Sequence, residues 1–301
     1  MKKAVVALCL TVGFAFSAWG HIPEGQVLLA YQFPPGGEPT MDGDLSDWAM
    51  IPEDYWIGPE VYASPSGELW TDLSSLNSKV IVGYSASTDR LYMHHELFDD
   101  FRRRDVSGYD FGAGNPPPLP ESFEMNVDGD HGGEDTWVDG EDDRSRFAQN
   151  IHIRLPDIDP GPSGNNEATA WAWFWQTKAT WTGEEPWAAN GYSSDSAVLN
   201  ASDVTGQAEW FLTLWNNLQW DDPDASEVHD MQEGQIIGLN WDITDYDNEV
   251  DNSRSQWVLN GEGTVWSTAS VSTDFLLAPM EDNATAVEAE SWGRIKAAFG
   301  E

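Results

Sequence analysis

Beyond residue 20 the hydrophobic positions come in short alternating or continuous runs, broken by clusters of Gly, Pro, Asn and Asp. Side chains on an extended backbone point to opposite faces in turn, so this spacing predicts strands. The runs lie at 27–33, 79–85, 90–98, 121–127, 147–155, 169–177, 207–215, 235–245 and 263–270. In 90–98, Leu91, Met93, His95 and Leu97 share one face, and Tyr92, His94, Glu96 and Phe98 share the other. In 235–245, Ile237, Leu239, Trp241 and Ile243 alternate with smaller or polar residues. Long 3.6-residue patterns are absent from this region. The pattern predicts an all-β protein, an antiparallel β-sandwich with one face of each sheet buried.

The connections are long and polar. Residues 99–120 hold Arg102, Arg103 and Arg104 and the Pro116–Pro118 run, while 156–166 and 221–230 are rich in Pro, Gly, Asn and acid. Loops of this size in a compact domain are commonly functional. No internal repeat or interdomain linker stands out, so 21–280 reads as one domain. In 281–301, Val287, Trp292, Ile295 and Phe299 fall at helical spacing and predict a short terminal helix or a tail that meets a partner.

The first twenty residues follow a different rule. Lys2 and Lys3 precede an apolar run from Ala4 to Ala18, too short to anchor comfortably, and small residues follow around Trp19. That is the layout of a signal peptide, and it predicts a secreted protein, periplasmic or extracellular, with no membrane anchor. The only cysteine, Cys9, falls inside this run. The exported part is then thiol-free, which excludes disulfides, cysteine zinc sites and cysteine nucleophiles.

The chain has 14 basic and 52 acidic residues, a net charge of −38. The leader holds two of the basic residues and none of the acids, leaving twelve against fifty-two. Such a surface repels phosphate polymers and excludes a nucleic-acid partner. It favours bound cations, calcium above all where oxygen ligands cluster, or simple solubility in salty water.

Three segments carry a resemblance. The first is Met41-Asp42-Gly43-Asp44-Leu45-Ser46-Asp47-Trp48. The second is the strand from Arg90 ending in Phe98-Asp99-Asp100, followed by Glu121-Ser122-Phe123-Glu124-Met125-Asn126-Val127-Asp128-Gly129-Asp130. The third is Ile237-Gly238-Leu239-Asn240-Trp241-Asp242-Ile243-Thr244-Asp245-Tyr246-Asp247, with Trp257 downstream. In this order they resemble the family 9 carbohydrate-binding modules and their DOMON-like relatives, from about Thr40 to Pro279 with long insertions. The resemblance implies a β-sandwich that binds a polysaccharide or oligosaccharide and often holds structural calcium. It does not say which aromatic residues hold sugar.

The residues themselves point to several sites. Asp42-Gly43 is a turn signal, and Trp48 after it is a core residue. Asp128, Asp130, Glu134 and Asp135 echo a calcium loop, with Gly133 at the sixth place and Asp139 at the twelfth, but no helices flank them. Either a looser calcium loop or a solvated acidic turn fits. Asp242, Asp245 and Asp247 form a second acidic cluster, and Asp99 and Asp100 could join either.

Sixteen tryptophans lie beyond the leader. Indole rings stack on the C–H faces of sugars, so these suit a glycan platform. Trp171, Trp173 and Trp175 would line one face of a strand, as a core layer or a stacking ramp. Trp181, Trp187 and Tyr192 are expected on loops, where a rigid scaffold presents function.

Enzymatic signatures are weaker. Pairs of carboxylates are inevitable among fifty-two acids, His95-Glu96 lacks a zincin's second histidine, and no G-x-S-x-G elbow occurs. Haem ligation through Met93, His94, His95, Met125 or His152, as in some DOMON relatives, and copper at a freed His21 are the redox alternatives. The histidines at 94 and 95 read more simply as ordinary strand residues. The sequence thus predicts a secreted, non-catalytic glycan-binding sandwich stabilised by calcium.

Overall fold

A computed structural model describes residues 26–102, 122–133, 145–154, 169–171, 177–195, 201–246, 255–264 and 268–280, with the backbone alone at 122, 152, 154, 169–171, 177, 178 and 180. The strands are β1 (Val27–Gln32), β2 (Trp56–Ile57), β3 (Leu76–Ser85), β4 (Arg90–Arg102), β5 (Ser122–Asp128), β6 (Gln149–Arg154) and β7 (Thr169–Trp171). After them come β8 (Ala188–Ser194), β9 (Ala201–Thr213), β10 (Trp215–Asn217), β11 (Glu227–Val228), β12 (Ile236–Asp245), β13 (Ser255–Val258) and β14 (Thr273–Leu277). The helical pieces among the described residues are short 3-10 turns, and none is long and apolar enough to cross a membrane.

Twelve strands join in one hydrogen-bonded path, β7-β6-β5-β12-β14-β1-β3-β4-β9-β8, with β13 added to β12 and β2 to β3. The path folds over at β1, which pairs with β14 through Val27–Ala30 and with β3 through Tyr31 and Gln32. Both of these pairings are parallel; the other described pairings are antiparallel. The two halves then face each other as a sandwich. Val80, Met93, Leu97, Ala208 and Trp210 from one half meet Phe123, Met125, Ile151 and Trp241 from the other. Phe123 is the joint, its ring 5.1 Å from Trp210 and 5.6 Å from Trp241.

The strand β4 is buried on both faces. Its odd positions, Leu91, Met93 and Leu97, enter the main core, as the alternation predicts. Its even positions Tyr92 and His94 are also buried, because residues 41–57 fold across them as an extra layer. Trp48 belongs to this second cluster with Phe33, Tyr55, Tyr92 and Phe211, not to the end of the main core. The layer lies close. A Cβ on Gly191 would come within 2.4 Å of Gly43 N, and Gly43 itself sits at a φ of +80°. Only glycine permits both.

Several expected boundaries move. Of the expected 263–270 strand, 263–264 form a turn and 269–270 open a 3-10 piece (Ala269–Val271), 265–267 lie outside the described residues, and a strand, β14, starts three residues beyond the expected end. Gly263 packs on Pro65, where a Cβ would meet the ring at 2.9 Å. The expected loop around Tyr192 is β8, hidden because Ala188, Asn190 and Ser194 weaken its alternation. Arg102 is no part of a basic surface patch: β4 continues through it, and its side chain is fully buried. Arg103 and Arg104 lie outside the described residues, as do the leader and 281–301.

Candidate functional site

The sandwich has two ends. At one, Leu76, Asp99 and Val204 stand side by side on β3, β4 and β9; at the other, Ser85, Arg90 and Thr213 do. Nine residues of β4 separate them, roughly 30 Å at ~3.4 Å per residue.

The Leu76 end carries an aromatic stack. The loop from Ala63 to Ser75 is anchored by bridges from Ala63 to Leu69 and to Val258, and by Asp100 N donating to Ser75 O at 2.8 Å. This anchoring lays Trp70 on Trp257, with ring centroids 5.4 Å apart and planes 16° from parallel. Tyr62 meets Trp70 edge-on at 5.3 Å. Its hydroxyl accepts the Trp241 indole N–H at 2.7 Å, which ties the stack to the core, and burial raises its pKa against the opposing effect of that bond. Trp70 is buried beneath, while Trp257 is half-buried and remains partly open. Leu69 and Leu73 on the same loop are 68% and 46% exposed, an apolar lip beside the stack.

Polar groups crowd this end. Asp99 and Arg102 close β4, and Asp245 closes β12, all buried. Gln256 donates its amide to Asp242 on the opposite face of the sheet from Trp257, which stands beside Ile243 on the core face. A half-open indole at a strand end can stack on the apolar face of a ligand. Neither Trp70 nor Trp257 was singled out as a sugar contact from sequence; the signal was there, a tryptophan in the Pro-Ser-Gly-rich turn at 65–70.

The expected platform divides. Trp181 and Trp187 sit at the opposite, Arg90 end, half-buried against Trp215. Tyr192 leaves them: it faces inward from β8 against the main core, and its hydroxyl is buried. Trp175 lies outside the described residues.

The acids divide as well. Asp128 is fully buried at the end of β5, and its carboxylate accepts from Gly132 N at 3.2 Å and Gly133 N at 2.8 Å. Asp130 also accepts from Gly132 N, and left-handed His131 and Gly133 close the turn. Burial pushes Asp128 up to about 6, and the charge of Asp130 adds to the rise. Two close carboxylates that repel one another are oxygen donors of the kind calcium takes, though a calcium ion needs about six to eight oxygens and these are two side chains. His131 holds Asp274 at 3.0 Å, which raises its own pKa. Glu134, Asp135 and Asp247 lie outside the described residues, and no three metal-ligating side chains converge among the described ones. Asp242 and Asp245 do not form one cluster. Three residues apart on β12, they point to opposite faces of the sheet.

The residues of the haem alternative divide as well, and the side chain of His152 lies outside the described residues. Met93, His95 and Met125 point into the main core, and His94 points out of it, between Trp48 and Trp56. Burial lowers both His94 and His95 to about 3.

No family model matches the chain, and no curated protein sequence matches it. Solved structures do. A carbohydrate-binding module of family 9 from Caldicellulosiruptor kristjanssonii, in complex with cellotriose, aligns with a TM-score of 0.51 at 14% identity, covering 86% of this chain and 98% of that one. A family 9 module from the same organism in complex with glucose aligns with a TM-score of 0.50 at 15% identity, over 86% and 99%. The chain therefore has the all-β sandwich fold of a carbohydrate-binding module. Within that class its fold is the family 9 fold, over 86% of the chain.

Proposed function

We propose that this chain is an exported, non-catalytic carbohydrate-binding module whose primary site is the Trp70–Trp257 end of the sandwich. The observation that carries this reading is a half-open indole, Trp257, laid on a buried one at a strand end, on a fold whose solved neighbours are in complex with cellotriose and glucose. Stacking supplies affinity through the apolar sugar face. Calcium at Asp128 and Asp130 would brace the far turn, outside this site. Export rests on the leader in residues 1–20. Calorimetry with a panel of neutral oligosaccharides, with pull-downs on insoluble polysaccharides in calcium buffer, tests the reading. Retention lost in Trp257→Ala supports it; no retention on any member overturns it.

A further inference from the structure

The Arg90 end carries a second aromatic group that the primary site leaves unused. Trp181 and Trp187 are half-buried, their centroids 5.7 Å apart and their planes 72° from parallel. Both rest on buried Trp215, at 5.3 and 5.0 Å. The Trp181 indole N–H donates to Trp220 O at 2.7 Å, which turns its polar edge toward the protein. The chain between the two rings is pinned. Thr182 Oγ1 donates to Ala179 O, Arg90 Nη2 donates to Pro186 O at 2.8 Å, and Thr213 N donates to Trp187 O at 2.9 Å. Two indoles are therefore fixed at a corner of the surface, and the short chain that joins them carries two exposed acids, Glu184 and Glu185.

A cluster that served packing alone would gain by burying both outer rings, at about 25 cal/mol per Å² of apolar area. These stay half open and edge-to-face. The corner instead matches a neutral sugar: C–H faces lie on the rings and hydroxyls donate to the two carboxylates. The same carboxylates, on a chain of net charge −38, repel uronate or sulfated chains. We propose that this corner is a second glycan site, selective for uncharged sugars and separated from the primary site by the length of the sandwich. It takes from the primary reading only the class of ligand. Two sites on one rigid body let the module hold two chains, or two points on one, and raise retention on a polymer through effective concentration.

Calorimetry with cellotriose and other neutral trisaccharides, together with retention on an insoluble neutral glucan, tests this directly. Two sites per chain are expected. Trp187→Ala should remove one and leave the Trp257-dependent site intact, with retention on the insoluble glucan falling at least tenfold. Glu184→Ala with Glu185→Ala, at exposed positions, should weaken the same site at least fivefold without moving the melting temperature; this pair decides if Trp187→Ala fails to fold. One site per chain, removed by Trp257→Ala and indifferent to both corner variants, overturns the second site and leaves the primary one standing. Binding lost in Trp187→Ala and kept in Trp257→Ala keeps the corner and overturns the primary site. No binding of any neutral trisaccharide overturns both.

Discussion

The Trp48 indole nitrogen lies 2.7 Å from Oε2 of Glu209, across 161 residues of chain. The other carboxylate oxygen, Oε1, accepts the backbone N–H of Asp42 at 2.8 Å and of Gly43 at 2.6 Å. One buried acid on β9 thus fastens both ends of the Asp-Gly…Asp-Trp segment onto the outer face of β4 and β9. Gln207 and Ser193 complete the clasp by donating to Gly43 O, each at 2.9 Å. The segment is a structural latch for the second aromatic cluster, and its acids at 42, 44 and 47 cap turns.

Glu209→Gln should therefore be costly. The amide keeps one acceptor oxygen and replaces the other with a donor, which leaves either the Trp48 indole N–H or the Asp42 and Gly43 N–H groups without their partner in a buried place. We expect a loss of about 2–4 kcal/mol in urea unfolding. A change below about 0.5 kcal/mol would mean that the latch contributes nothing.

The close backbone approach gives an independent check. Gly191→Ala puts a methyl group against the backbone of the 41–43 turn while leaving every hydrogen-bonding side chain in place. Overpacking of this kind costs about 1–3 kcal/mol. Hydrogen exchange should accelerate over 40–57 before it does in β12.

The two buried histidines set a pH dependence. Each has a folded pKa of about 3, against 6.5 when exposed, with burial as the main cause. The unfolded chain then binds more protons between these values, so the stability they contribute is complete above pH 6.5 and is lost as pH falls toward 3. The slope approaches about 1.4 kcal/mol per pH unit for each histidine. Neither ring nitrogen of His94 has a hydrogen-bond partner, so His94→Phe should fold at least as stably at pH 7 and lower the proton uptake on unfolding by one. Denaturant titrations at pH 7, 5 and 4 read both effects, and an unchanged slope would contradict them.

Trp70 and Trp257 should separate stability from binding. Trp70→Ala removes a buried ring and is expected to cost about 3–5 kcal/mol. Trp257→Ala, at the open side of the stack, should leave the melting temperature nearly unchanged and lower glycan affinity at least tenfold. Equal affinity in both variants and wild type would locate binding elsewhere.

For calcium, added metal should raise the melting temperature and chelator should lower it, and Asp128→Ala with Asp130→Ala should remove the response. If chelator has no effect at moderate salt, these acids serve the turn and solubility alone.

Much of this architecture was legible in one dimension. The alternation in 90–98 and 235–245 placed Met93, Leu97, Leu239 and Trp241 in the core, because a strand allows only two directions for a side chain. Asp42-Gly43 marked a real left-handed turn, since the chemistry of that turn is local. Where residues broke the alternation, as in β8, or where an acid pair depended on which face each residue took, as with Asp242 and Asp245, the pattern misled.

By itself the sequence determined the all-β class, the thiol-free acidic character beyond residue 20, and the abundance of indoles. Each of these follows from residue type and short-range spacing. Only the tertiary structure decided that Glu209 receives Trp48, that Trp70 meets Trp257, and that Tyr192 parts from Trp181 and Trp187. Those pairings join positions far apart in the chain, and they are set by how the sheet folds over at β1, a geometry that no local run of residues encodes.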